Sequence, residues 1–169
     1  MKWILIALAV VAALAAIVVV VGTLLPRDHA ASRTLHVRRA PAEVWALITN
    51  VSAFTTWRPD VKRVEPLPDV NGRAAWVEDA GGMTIPLETI ESHPPERLVL
   101  RIADPKLPFG GTWTYIVKAA PDGTTLTITE DGFVSNPLFR FMSRFVFGHY
   151  ATIDTYLKNV ARKFNEEPT

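Results

Sequence analysis

The chain has 169 residues and no cysteine, so its length fits one ordinary domain plus an appendage. The absence of cysteine excludes a disulfide framework and thiol chemistry. Lys and Arg number 18 against 17 Asp and Glu, and the two sets are equal once Lys2 is set aside. This balance argues against a nucleic-acid partner, because nucleic-acid-binding proteins usually present a basic face to phosphate.

The appendage is the apolar amino-terminal segment. Residues 3–25 carry no charge, and only Gly22 and Thr23 interrupt the apolar run. A helix of this length spans about 34 Å, enough to cross a hydrocarbon core of about 30 Å. A cleaved signal peptide is the alternative, but its apolar region is usually about 7 to 15 residues long. We therefore predict a single-pass transmembrane anchor at residues 1–25, a short linker at 26–32 and a domain at 33–169.

The charges that flank the apolar run predict its orientation. Only Lys2 and the terminal amine precede the run, whereas Arg27 and Arg33 follow it closely. By the positive-inside rule, the domain lies on the cytoplasmic side of the membrane. The linker is short, so we expect the domain close to the membrane surface.

The domain opens with a strand and two short helical segments. Residues 33–39 alternate between polar and apolar side chains, as a half-buried strand does, and His36 falls on the polar face as a solvated side chain. A short helix follows, with Pro41 in its first turn and Trp45 directed to the core. Residues 51–57 form a second helical turn, which Pro59 ends.

The next part of the chain has the turn spacing of an antiparallel meander. Turn signals at Asn71-Gly72, Gly81-Gly82, Pro94-Pro95 and Asp122-Gly123 separate strand-like runs. The six predicted strands are residues 61–67, 73–80, 83–92, 97–103, 112–119 and 124–133. With the first strand they make seven. Residues 104–111 form a loop whose tip, with Phe109, is placed to close the mouth of a cavity.

Alternation in the last two strands predicts which side chains face inward. Leu126 and Ile128 share one face, the next member of that face is Glu130, and a threonine row lies opposite. Trp113 and Tyr115 likewise share a face. Glu130 is therefore a carboxylate on an apolar face, where it needs a partner or water.

Residues 136–164 predict one long amphipathic helix, about 42 Å in length. Asn136 caps its first turn, Pro137 fits its first position, and Gly148 is a place where it can bend. Its apolar stripe consists of Leu138, Met142, Phe145, His149, Ile153, Tyr156, Val160 and Phe164.

This order of elements resembles the START-like helix-grip superfamily (SRPBCC), the group of polyketide cyclase/dehydrase and lipid-transport proteins. The likeness rests on APAEVW at 40–45, WRPD at 57–60, PERL at 95–98, GTWTY at 111–115 and TITEDG at 127–132. The resemblance implies an α+β fold, with a seven-stranded antiparallel sheet wrapped around a long C-terminal helix after one transmembrane helix. It also implies a deep cavity for a lipid, sterol, polyketide or other apolar molecule. None of these motifs is catalytic, and a fold does not fix chemistry.

The predicted ligand-binding residues are mainly aromatic, because aromatic faces suit apolar and ring-shaped ligands. They are Trp57, Trp76, Trp113, Tyr115, Phe109, Phe141, Phe145 and His149. For the tryptophans simple core packing is the alternative. His149 could contact a ligand or satisfy a buried neighbour instead.

The only candidates for catalysis are His149, Glu78 and Glu130, and they are weak ones. A pair of inward carboxylates would shift the pKa values of both groups, but a structural ion pair of one of them with Arg101 is the simpler expectation. The four histidines show no metal-ligand spacing, so we expect no metal and no cofactor.

Three functions remain open from the sequence. The first is a membrane-anchored protein that binds a hydrophobic small molecule or lipid in the cavity. The second is a cyclase- or dehydratase-like enzyme. The third is a protein-interaction module whose cavity is filled by its own side chains, with an unknown protein partner.

Overall fold

The structure is a computed structural model that describes residues 1–166, with every side chain among them except that of Phe147. Its helices are α1 (Lys2–Leu24), α2 (Pro41–Thr49), α3 (Phe54–Trp57), α4 (Pro137–Met142) and α5 (Ala151–Lys163). Its strands are β1 (Asp28–Val37), β2 (Val61–Val70), β3 (Arg73–Ala80), β4 (Met83–His93), β5 (Arg97–Ile102), β6 (Phe109–Ala120) and β7 (Gly123–Val134).

The seven strands form one sheet in the order β1-β7-β6-β5-β4-β3-β2, and all neighbours are antiparallel. Strands β2 to β7 follow one another as a meander, because the predicted turns lie where the chain reverses. Asn71 and Gly72 both take positive φ angles, as a tight hairpin turn requires. The α+β helix-grip fold expected from the sequence is confirmed.

Two strands begin three or more residues earlier than predicted. β1 starts at Asp28 because residues 28–32 pair with residues 129–133 of β7, so the linker is only residues 25–27. β6 starts at Phe109 because residues 109–111 pair with the end of β7. Phe109 therefore lies on a strand and not at the tip of a loop. Backbone pairing makes these strands, although their sequences lack alternating apolar residues.

The core lies between one face of the sheet and helices α2, α3 and α5. Leu126 and Ile128 are fully buried there, whereas the hydroxyls of Thr127 and Thr129 lie on the other face and bond Thr34 and Ser32 of β1. Burying such a side chain stabilises the fold by about 1.5 to 3 kcal/mol. The facing predicted by alternation is confirmed for β7.

The C-terminal segment is two helices, which corrects the expectation of one continuous helix. Asn136 caps α4 as predicted, since its side chain accepts hydrogen bonds from the amides of Leu138 and Phe139. A π-helical turn at Ser143–Phe147 follows, and the chain then breaks at Gly148, which has φ 76°. Because of this break, the residues of the predicted apolar stripe do not share one environment. Ile153, Tyr156 and Val160 of α5 are buried, but Leu138 and Phe145 are exposed.

Among the described residues one helix, α1, is long and apolar enough to cross a membrane. Its carboxyl end touches the domain, because Gly22 is buried against Pro137 at the start of α4. A side chain at position 22 would collide with the Pro137 carbonyl. Glycine at this position therefore permits close contact between the two helices.

Candidate functional site

The described side chains enclose a cavity of about 560 Å³ between the sheet, the loop after α3 and the start of α5. Its lining residues are Phe54, Arg58, Asp60, Glu78, Ala80, Gly81, Met83, Ile85, Leu87, Leu100, Ile102, Phe109, Gly111, Trp113, Tyr115, Glu130, Ser143, Gly148, Ala151, Thr152, Thr155 and Tyr156. The interaction-module hypothesis expected a filled interior, and these side chains do not fill it.

Strand periodicity builds the apolar part of the wall. Met83, Ile85 and Leu87 are alternate residues of β4, so they project to the same face. Leu100 and Ile102 do the same on the neighbouring strand β5. The wall that these two strands present to a ligand is therefore aliphatic.

A buried ion pair closes one side of the cavity. The guanidinium of Arg58 donates to Glu78 through both terminal nitrogens, at 3.1 and 3.0 Å, and one of them also contacts Asp60 at 3.2 Å. Trp76 Nε1 donates to Glu78 at 2.9 Å, and the Asn159 amide donates to Asp60 at 2.8 Å. Because Glu78 and Asp60 surround Arg58, its charge is already neutralised within the protein.

Three aromatic rings line the cavity next to this ion pair, and the Arg58 guanidinium lies 5.1 Å from the centre of the Tyr156 ring. Trp113 packs against Tyr115 and Tyr156, with ring centroids 6.1 and 5.9 Å apart, and the two tyrosine rings are 5.6 Å apart. Burial raises the pKa of both phenols, and the charge of a neighbouring phenol adds to the effect at Tyr115. Both hydroxyls therefore stay protonated. Because the two hydroxyls hydrogen-bond each other, only one of their two protons is left to donate to a ligand.

Glu130 is a carboxyl group of the cavity wall with a raised pKa. Burial raises its pKa to about 7, against a smaller opposing effect of a hydrogen bond with Trp113. Its Oε1 lies 3.5 Å from His29 Nε2. Near neutral pH this group is divided between its acid and carboxylate forms, as a general acid or base needs to be.

A smaller cleft of about 240 Å³ adjoins this end of the cavity. His29 and His149 stack there with ring centroids 4.4 Å apart, and His149 Nδ1 lies 3.1 Å from the Ser143 hydroxyl. Burial lowers the pKa of both imidazoles. Leu25, directly after α1, lines the cleft as well, and Ser143 lines both spaces.

The structure brings together five of the residues that the sequence singled out. Glu78, Phe109, Trp113, Tyr115 and Glu130 all line the cavity. Contact between any of them and a ligand stays a prediction.

Five other predicted residues lie outside the cavity wall, and contact between any of them and a ligand likewise stays a prediction. Trp57 and Trp76 are buried in the core, where both pack edge-to-face against Phe54. Phe141 and Phe145 contact each other at 4.9 Å on the segment before the break. His149 lies in the side cleft, because the break at Gly148 turns the chain away from the face of α5.

Arg101 does not neutralise either inward carboxylate, because it pairs with Glu88 and Arg58 pairs with Glu78. Sequence reasoning missed Arg58 and Tyr156 as lining residues. The WRPD motif contained Arg58, but the loop has no periodicity from which to infer its direction. Tyr156 was in the apolar stripe and could have been found by its spacing from Ile153. Among residues 1–166 no cluster of three His, Asp or Glu side chains could hold a metal ion.

Comparison with known proteins agrees with this architecture. The family model for polyketide cyclase / dehydrase and lipid transport proteins matches residues 28–164. A search of curated proteins finds no match.

Several solved structures have the same fold. The Zhui aromatase/cyclase of a Streptomyces species is 13% identical with a TM-score of 0.64, over 82% of this chain and 94% of that one. A START superfamily protein from Mycobacterium smegmatis is 16% identical with a TM-score of 0.61, over 81% and 97%. The di-domain ARO/CYC StfQ from the steffimycin biosynthetic pathway is 15% identical with a TM-score of 0.63, over 79% of this chain.

This chain spans 49% of the length of the di-domain protein. At these identities the structural likeness shows a shared fold and not a shared reaction. The family match covers the whole sheet and both C-terminal helices. The chain therefore belongs to the polyketide cyclase/dehydrase and lipid transport family.

Proposed function

We propose that this protein is a membrane-anchored binding protein for a hydrophobic small molecule or lipid. The observation that carries the proposal is the cavity of about 560 Å³, whose wall is mainly aliphatic and aromatic with a few polar groups. Binding sites for small organic ligands usually have volumes of about 300 to 1,000 Å³ and this kind of lining.

The anchor supports the membrane as the source of the ligand. In the proposed arrangement, residues 1–25 span the bilayer and the domain lies on its cytoplasmic side. Only residues 25–27 connect α1 to β1, a reach of about 10 Å when extended. The end of the cavity at Ser143 and Gly148 is therefore held near the lipid surface.

The charges of the wall favour a neutral ligand. Arg58 is paired with Glu78 and Asp60, so it has no free charge for a fatty-acid carboxylate. The hydroxyls of Tyr115 and Tyr156 hydrogen-bond each other, which leaves one O–H to donate to a carbonyl or hydroxyl group of the ligand. We therefore expect a long apolar body with one neutral polar end, such as an alcohol or a ketone.

A fluorescence titration of the full chain in mild detergent tests this proposal. The probes are pyrenyldodecanol, which is neutral, and pyrenyldodecanoic acid, which is charged. We expect saturable binding of the alcohol and weaker binding of the acid. Thr155→Trp, in the cavity wall on α5, should abolish binding, whereas Lys158→Trp, an exposed position of the same helix outside the wall, should preserve it. No saturable binding of either probe would contradict the proposal.

Glu130 supports a second candidate, an enzyme that removes a proton next to a carbonyl group. Its carboxylate lies in the cavity wall and is poised near neutral pH, which suits a general base. The test is hydrogen–deuterium exchange at the central carbon of a long-chain 1,3-diketone, followed by NMR. We expect Glu130→Gln to slow exchange at least tenfold while leaving diketone binding intact. Equal rates in both proteins would exclude this role.

A further inference from the structure

Four large apolar side chains form an exposed patch on the segment between β7 and the break at Gly148. Leu138 and Phe139 on α4 are 49% and 48% exposed, and Phe145 and Val146 in the π-helical turn are 59% and 58% exposed. We call these four residues the apolar patch. Four large exposed apolar side chains within nine residues of a folded domain indicate a surface that another phase or molecule covers.

The contact between Gly22 and Pro137 sets the depth of this patch relative to the anchor. Gly22 lies two residues before the end of α1, within its last turn. A helix of 23 residues is about 34 Å long, so its last turn reaches the boundary between acyl chains and headgroups. Pro137 begins α4 at that same level.

Arg140 fixes the direction in which α4 leaves the anchor. One terminal nitrogen of Arg140 donates to the carbonyl of Leu25 at 2.9 Å, and the other donates to the carbonyl of Ser135 at 3.2 Å. A cation at the carboxyl end of a helix also interacts favourably with the negative end of the helix dipole. Arg140 thus joins the carboxyl end of α1 to α4, so α4 lies at the same level as that end.

Cationic side chains lie near the carboxyl end of α1. Arg27 and Arg144 line the side cleft together with Arg140, against a single acidic residue, Asp28. Arginine forms strong paired hydrogen bonds with phosphate, and basic residues beside a membrane span are attracted to anionic headgroups. An apolar patch beside such a cluster matches a bilayer better than it matches a protein surface.

We propose that residues 137–146 are a second membrane contact, with the apolar patch inserted among the lipid headgroups beside the carboxyl end of α1. Ser143 within this segment and Gly148 and Ala151 shortly after it line the cavity. The break between α4 and α5 therefore opens the cavity toward lipid. This inference rests on the proposed function in one respect, namely that α1 spans a bilayer.

The test uses the natural absence of cysteine in the chain. Val146→Cys and, as an independent second site, Leu138→Cys are labelled with the fluorophore NBD in the full-length protein. The control is Ala119→Cys, an exposed position. Its partner on β7, Thr124, pairs with Val37 at the carboxyl end of β1, the end away from α1. Each protein is placed in nanodiscs of phosphatidylcholine and phosphatidylglycerol, with and without nitroxide-labelled lipid.

We expect nitroxide-labelled lipid to quench NBD at positions 146 and 138 strongly and at 119 little. Aqueous iodide should show the reverse order, with several-fold weaker quenching at the two patch sites. Equal iodide quenching at all three sites would overturn the inference. Protection from both quenchers would also overturn it, because a protein partner or a second copy would then cover the patch.

The readout does not depend on a ligand in the cavity. A failure of the proposed function would instead appear as absent pyrene-probe binding. The two proposals can therefore fail separately.

Discussion

At the scale of single residues, Glu130 and Arg58 show what local patterns reveal. Alternation along β7 predicted that Glu130 faces inward, because a strand places every second side chain on one face. Arg58 follows a short helix and precedes a proline, and no period fixes its direction there. Its role as the partner of Glu78 is evident only when β3 and the α3 loop are seen together.

Glu130 makes the stability of the fold depend on pH. Its pKa is about 7 in the folded protein and near 4.5 when exposed, so the folded state binds more protons between these values. Stability therefore falls as pH rises through this window and stays lower above it. We expect Glu130→Gln to be up to about 3 kcal/mol more stable than wild type at pH 8 and nearly equal at pH 4.5. Denaturant unfolding in detergent at both pH values measures this, and an equal difference at both would contradict it.

The buried pair of Arg58 and Glu78 should matter far more than surface pairs. Their side chains are 11% and 5% exposed, so Glu78→Gln leaves a buried cation with less compensation and should destabilise the fold by about 3 kcal/mol or more. The control is Glu65→Gln, which breaks an exposed pair with Arg63 and should cost under about 1 kcal/mol. Thermal unfolding compares the two variants. Similar small losses would show that the pair is not important for the fold.

At the scale of elements, the meander was predictable and the C-terminal segment was not. Pairs such as Asn71-Gly72 are favoured in tight turns and in few other structures. The strand ends on either side of such turns are therefore recognisable in the sequence. A single glycine within a helical pattern costs only about 1 kcal/mol, so Gly148 alone could not distinguish a bend from a complete break. The backbone pairing of residues 28–32 with β7 was likewise hidden, because it depends on a distant strand.

Gly148 should be difficult to replace because of its backbone and not because of crowding. It has φ 76° and ψ 154°, a region that is almost restricted to glycine. No described atom lies within 4 Å of the position that a Cβ would occupy. We expect Gly148→Ala to destabilise the protein by about 1 to 3 kcal/mol or to extend α4 into α5. Unfolding and circular dichroism measure these outcomes, and an unchanged protein would mean that the break is not required.

At the scale of the whole molecule, an apolar helix and a hollow domain are joined at one end. The helix and the strand meander were both predictable, because an uninterrupted apolar run and regularly spaced turns are strong local patterns. It did not predict that Gly22 meets Pro137 or that Arg140 bonds to Leu25. These contacts join segments more than a hundred residues apart in the chain, and no local pattern records them.

The central claim is that the cavity holds a neutral hydrophobic molecule taken from the membrane. Native mass spectrometry of the full chain, extracted from its membrane in mild detergent, tests this claim most directly. We expect one bound neutral lipid-like molecule per chain in the wild-type and Lys158→Trp proteins, and no bound molecule in Thr155→Trp. An empty wild-type protein, or the same bound mass in all three proteins, would contradict it.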